Sequence, residues 1–182
     1  NKHFHNRFWF TLVVFNDHEE CGSTSYTGAD SIFLKSVLER ILVGPEEYAQ
    51  GLSGSMLISC DNAHALHPNY PEKFEENHSP LINMGPVIKM NHNQRYATDG
   101  LTAAIFISLC QENKIPYQQF VIRSDLTCGS TIGPTTSAQL GIKTLDIGVP
   151  TWSMHSSREV AGARDSFYLY RALGQFFNAP QI

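Results

Sequence analysis

Short apolar runs alternate along this chain with segments whose apolar residues recur at helical spacing, and no other feature restricts the fold as much. Phe8 to Phe15 is a continuous aromatic and β-branched run that reads as a buried strand ending at Asn16-Asp17. Met56 to Cys60, Pro86 to Met90, Gln119 to Arg123 and Thr144 to Ile147 read as four more strands. Ile32, Phe33, Val37, Leu38 and Ile41 fall on one helical face, with Asp30 or Ser31 as N-cap and Gly44-Pro45 as the stop. Leu101 to Cys110 reads as a helix capped by Thr98 or Asp99. Cys128 to Pro134 reads as a tight turn into a helix that ends near Gly141, and Arg158 to Phe177 as a long terminal helix. Strands that alternate with helices predict an α/β fold, a mixed and mainly parallel sheet covered by helices.

Composition narrows the function. The 42% hydrophobic and 16% charged content is that of a globular chain, and 182 residues suffice to hide roughly 70% of the unfolded surface. A net charge of -4 gives no basic footprint for nucleic acid, and neither a polybasic run nor a bilayer-length apolar stretch marks a membrane partner. No signal peptide is read at the start, where His3, His5 and Arg7 precede a short apolar run with no small-residue cleavage site. Cys21, Cys60, Cys110 and Cys128 form no C-x-x-C pair and suit a reducing compartment, so a cytoplasmic location is expected.

Histidine is over-represented, with eight against 13 Lys plus Arg, mostly beside Asp, Glu or Asn. In open α/β sheets ligands gather at the carboxyl ends of strands. Here those ends carry Asp17-His18-Glu19-Glu20, Asp61 with His64 and His67, and the segment around His155. Adjacent carboxylates such as Glu19 and Glu20 cannot both point the same way on a strand. One can bind a metal while the other faces a water, the division of labour of a hydrolytic metal centre. Asp61 and the histidines offer oxygen and nitrogen donors suited to zinc, manganese or cobalt. Taken singly, each motif also fits a solvated turn, a loop cap or a helix start. Asn62 to Gly85, polar and broken by Pro68, Pro71 and Pro80, is a loop long enough to be functional.

Taken together, several segments resemble the carboxyl-terminal part of the catalytic domain of the M18 metallopeptidases, the aspartyl aminopeptidases. They are Asn16-Asp17-His18-Glu19-Glu20-Cys21-Gly22-Ser23, Ile58 to Tyr70, Glu75-Glu76-Asn77-His78, Gly85 to Lys89, Gln94-Arg95-Tyr96-Ala97, Cys128 to Pro134 and Met154 to Glu159. The resemblance runs from about Val13 to Phe177. It implies a zinc aminopeptidase-like fold and two divalent metal ions, zinc first and manganese or cobalt as alternatives. It also implies peptide substrates with N-terminal Asp or Glu, self-association into a large homo-oligomer, and a vacuolar location for some relatives. By the same resemblance Glu19 is the general base, Glu20 and His155 ligate one metal, and Asp61 ligates the other. His64, Lys89 and Tyr96 match positions that contact substrate. Lys89 suits an acidic side chain, and Tyr96 suits a carbonyl oxygen gaining negative charge.

A member of that family also carries an upstream His-x-Asp motif, an upstream bridging Asp and an inserted dimerisation domain, none of which is in these residues. His3-x-His5 is no substitute. Residues 1–182 are therefore read as the carboxyl-terminal portion of the catalytic domain, expected to be inactive in isolation. Two rivals stand beside this reading. One is a non-catalytic subunit or assembly module of the same fold; the other is nucleophilic catalysis by Cys128 with a histidine as base.

Overall fold

The computed structural model describes residues 9–179. Four strands form the main sheet: β1 (Met56–Cys60), β3 (Val87–Met90), β4 (Gln118–Val121) and β5 (Lys143–Gly148), in the order β1-β5-β3-β4. β1 pairs with β5 and β3 with β4 in parallel, while β3 and β5 at the centre are antiparallel. A second sheet, in the order β2-β6-β7, joins β2 (Ala63–His64), β6 (Pro150–Trp152) and β7 (Val160–Ala161). Its β2 and β6 directly prolong the β1 and β5 pairing, since the Asp61 amide donates to the Ile147 carbonyl, Ala63 to Val149, and Ala65 to Thr151.

Helices cover both faces of the main sheet. On one face, α3 (Gly100–Glu112) and α5 (Asp165–Asn178) bury Phe106, Leu109, Cys110 and Ala172 against Ile88, Leu145 and Ile147. On the other, α4 (Ile132–Leu140) packs on β1 and β5. Leu140 of α4 meets Leu38 of α1 (Phe33–Ile41) and Leu52 of α2 (Pro45–Ser53). Period-2 alternation in β5 sorts its side chains, Leu145 and Ile147 toward α3 and α5, Asp146 toward α4. The α/β class and the mixed sheet are as expected. Among the described residues no helix is long and apolar enough to cross a membrane.

Four local expectations are corrected. Residues 9–15 are not a buried strand: they join neither sheet, and Trp9, Phe10, Val13 and Phe15 are exposed. A run of β-formers specifies a surface that fits a sheet, yet without a strand alongside there is no ladder to join. Phe8 lies outside the described residues. α1 does end at Ile41, short of Gly44-Pro45, but an unexpected second helix follows at once: Pro45 occupies the first turn of α2, where its missing N–H costs nothing. The terminal helix starts at Asp165, because Arg158 to Ala161 turns and pairs as β7. The long loop also contains a paired strand, β2.

Capping explains the helices that matched. The Asp99 carboxylate accepts from the Thr102 amide at 2.8 Å, and the Asp99 amide donates back to the Thr102 hydroxyl at 3.1 Å, a capping box. At α1 the N-cap is Ile32, not Asp30 or Ser31, and it has no side-chain cap, although the Ser31 hydroxyl just before it accepts from the Phe33 amide at 3.1 Å.

Candidate active site

Asp61 owes its position to a close backbone approach. The chain leaves β1 at Cys60 and passes over the end of β5 so tightly that a Cβ on Gly148 would stand 1.5 Å from the Asp61 carbonyl oxygen. Backbone faces backbone there, so neither side can yield. Gly148→Ala is expected to destabilise the protein by about 1–3 kcal/mol through overpacking, checked by chemical denaturation; an unchanged midpoint would mean that the 61–62 turn is free to move.

The turn aims two carbonyls inward. The Lys89 ammonium, on β3 and 1% exposed, donates to the Asp61 carbonyl at 3.3 Å, the Asn62 carbonyl at 3.2 Å and the Asp61 carboxylate Oδ2 at 3.4 Å. It also lies 5.2 Å from the centre of the Tyr96 ring, within cation–π range. These contacts are long, and the carboxylate partner is half-exposed. A buried ammonium so loosely held is poised to meet a better acceptor.

Glu19 and Glu20 sit in a short 3-10 turn, Glu19–Cys21, rather than at a strand end. A knot of local bonds holds that turn. The Ser23 amide donates to the His18 carbonyl at 2.7 Å, the Asp17 amide to the Thr27 carbonyl at 3.2 Å, and the Thr27 hydroxyl to the Asp17 carboxylate at 2.8 Å. His18, which enters the turn, has φ 61°, and His155 has φ 66°. Left-handed backbone is uncommon away from glycine and gathers at functional sites.

His155 reaches across to Glu20, its Nε2 lying 2.9 Å from Oε2, with both side chains largely exposed. Glu19, next to Glu20 in the chain, feels the charges of this pair and of Asp61. Burial pushes its carboxyl up from the ordinary value, and the negative charges of Asp61 and Glu20 push it further, against the pull of Lys89 and His155. His64, on β2 in register with Thr151, is shifted the other way. Desolvation of its ring, then the positive charges of His155 and Lys89, disfavour the imidazolium despite Asp61. Tyr96 is buried in an apolar cluster with Ala63, Val87 and Phe120, and Cys128 packs against it. Burial first, then a hydrogen bond with the Cys128 thiol, pushes the phenol well above its ordinary value, so Tyr96 remains a proton donor.

Glu20 and His155 thus touch, Asp61 is set against Lys89, and Glu19 feels the charges of all four. Glu20, Asp61 and His155 do not gather round one point: among the described residues no group of three or more His, Cys, Asp or Glu side chains is arranged to hold a metal ion. The donor chemistry of Glu20 and His155, one oxygen and one nitrogen, suits zinc, but a site normally takes about three protein ligands. Gly148 and the Asn62 carbonyl were not singled out by the sequence reasoning. A glycine closing an apolar strand was the one available sign of the first, and nothing in the sequence marks the second.

A three-layer α/β fold that brings carboxylates, imidazoles and a buried ammonium to one end of its sheets is of the kind metallopeptidases use. Over residues 1–177 the chain matches the family described as Aminopeptidase I zinc metalloprotease (M18), and it belongs to that family. It is 53% identical over 171 residues to "Probable M18 family aminopeptidase 2" of Stutzerimonas stutzeri (strain A1501), and 50% identical to the protein of that name from Pseudomonas aeruginosa (strain UCBPP-PA14). Each alignment covers 94% of this chain and 40% of the relative, so the chain spans well under half the length of these proteins. Among solved structures it resembles a chain of the "Cryo-EM structure of the Ape4 and Nbr1 complex", with TM-score 0.85 and 44% identity over 88% of this chain and 31% of that one. It also resembles the "Structure of S. cerevesiae mApe1 dodecamer", with TM-score 0.80 and 32% identity over 90% of this chain and 36% of that one.

Proposed function

We propose that residues 1–182 form the carboxyl-terminal portion of the catalytic domain of a two-metal aminopeptidase that releases N-terminal Asp or Glu. The observation that carries the reading is the Glu20–His155 contact at 2.9 Å, made by the residue that directly follows Glu19 in the chain, together with the Asp61–Lys89 contact at 3.4 Å. Glu20 and His155 would hold one divalent ion and Asp61 the other, zinc by the family's description. Such ions supply Lewis acidity and make water a nucleophile near neutral pH.

The chain's own residues supply the rest. Glu19 takes a proton from the attacking water and returns it to the leaving amine. Tyr96 stays protonated and donates to the carbonyl oxygen as negative charge develops there. Lys89 gives up its slack contacts for the side-chain carboxylate of the first substrate residue, a charge-assisted bond in a water-poor setting. His64 stays neutral and can accept from the substrate's ammonium or donate to its amide. Self-association into a large homo-oligomer and a cytoplasmic location belong to the same proposal; the dodecamer named for the S. cerevisiae relative supports the former.

The test is an assay of the full-length protein on peptides beginning with Asp, Glu or Leu, with and without chelator, repeated with Lys89→Met. Chelator-sensitive release of Asp or Glu over Leu is expected. Lys89→Met should lower kcat/KM for the acidic residues by about 10-fold to 100-fold, the worth of a lost charged hydrogen bond, and leave Leu nearly unchanged. Chelator-resistant turnover would remove the metal mechanism. Soluble, metal-loaded protein with no turnover on any peptide would favour the non-catalytic module, the reading to which the short donor set lends some weight.

A further inference from the structure

We propose that Asp146, which no sequence motif marks, is a positioning residue that aims Tyr96. The inference rests on the aminopeptidase reading and deepens it. Asp146 lies in the middle of β5, fully buried. Its carboxylate spans two segments distant in sequence. Oδ2 accepts from the Ala97 amide at 2.6 Å, and Oδ1 accepts from the Thr131 hydroxyl at 2.7 Å. The first bond fixes the peptide plane that directly follows Tyr96. The backbone repeats the clasp, since the Asp146 amide donates to the Thr98 hydroxyl at 2.9 Å. The Ser130 hydroxyl closes the ring by donating to the Arg95 carbonyl at 3.2 Å. Tyr96 is therefore held on both sides, at Arg95 and at Ala97, by one buried acid and the turn that it organises.

The packing leaves the carboxylate no other place. A Cβ on Gly133, in the first turn of α4, would stand 2.2 Å from Oδ2 and 2.5 Å from Oδ1, so glycine there is required by the carboxylate. No Lys, Arg or His pairs with Asp146 among the described ion pairs, which leaves hydrogen bonds to carry its charge. A buried acid held in this way is costly to stability, and an apolar residue would fill β5 more cheaply. What the acid does that an apolar residue cannot is to fix the 95–98 segment to the 130–133 turn. The ring thus held lies 6.4 Å from the Phe120 ring, edge-on to it, and 5.2 Å from the Lys89 ammonium of the candidate site.

The test is a double-mutant cycle in the full-length, metal-loaded enzyme, read as kcat and KM on a peptide beginning with Asp. Tyr96→Phe and Asp146→Ala are each expected to lower kcat by about 100-fold, the size of a lost oxyanion donor, with KM changed by less than about 3-fold. Combined, they should cost little more than the worse single change. Asp146→Asn should recover most of the rate, since its amide oxygen can still accept from Ala97 and its NH₂ can donate to Thr131. If Asp146→Ala does not fold, Thr131→Val takes its place in the cycle, because it loosens the clasp while leaving the carboxylate and Gly133 untouched. Additive losses, or a loss of thermal stability with kcat per folded molecule unchanged, would overturn the proposal and leave the aminopeptidase reading intact. An inert wild type would overturn both.

Discussion

Glu19→Gln in the full-length protein is expected to lower kcat by about 100-fold or more, with metal content close to that of the unaltered protein. The amide fills the same space and can still hold a water by hydrogen bonds, yet it cannot take the proton. Glu19 is suited to that task by its surroundings. Partial burial and the neighbouring charges of Asp61 and Glu20 raise its pKa, and a base is most effective when its pKa lies near the working pH. Glu20 differs from it by one peptide bond but reaches His155 instead. Its substitution by Gln is therefore expected to deplete metal as well as activity. Activity assays paired with elemental analysis separate the two glutamates. If Glu19→Gln loses metal and Glu20→Gln keeps it, the roles within the pair are reversed.

Much of this fold could be read from residue order, and the part that could not is physically instructive. The α3 and α4 boundaries were legible because capping chemistry is local: the Asp99 capping box needs four consecutive residues, and Gly141 takes the left-handed C-cap, φ 65°. Strands β1 and β3 were legible as largely apolar runs, and β5 because Leu145 and Ile147 alternate with polar neighbours. The second sheet escaped because β2 and β7 are two residues long and β6 three, too short for alternation to register. Residues 9–15 misled for the opposite reason, since their composition is right for a strand but strand formation depends on a neighbour that composition does not describe. In the site, the pairing of Glu20 with His155 was implied by the family resemblance, and the two side chains lie 2.9 Å apart. The grip of the Asp61 and Asn62 carbonyls on Lys89 was not legible, because it depends on how closely β1 passes Gly148. Asp146 escaped because an acid alternating with Leu145 and Ile147 looks, in one dimension, like a residue on the solvent face of a strand.

The 182 residues prepared alone are expected to show no turnover and to bind zinc, manganese or cobalt weakly. Donor count is the first reason. In the proposed arrangement Glu20 and His155 would give one ion two ligands and Asp61 would give the other ion one, and among the described residues no group of three or more such donors is arranged to hold a metal. Water then competes for the remaining positions, where even an open catalytic zinc site normally keeps three protein ligands. Electrostatics is the second. Two close divalent cations repel each other, and the Lys89 ammonium already engages the Asp61 carboxylate. The third is solubility: Trp9, Phe10, Val13 and Phe15 present consecutive apolar surface, a surface that drives association. Titration calorimetry with each metal, size-exclusion chromatography and an assay on an N-terminal Asp peptide, beside the full-length protein, test all three. Strong binding of two metal equivalents by the isolated chain would mean that its own side chains rearrange to complete both sites. Metal-dependent turnover near that of the full-length protein would show further that Glu19, Glu20, Asp61 and His155 are not the residues on which the site is built.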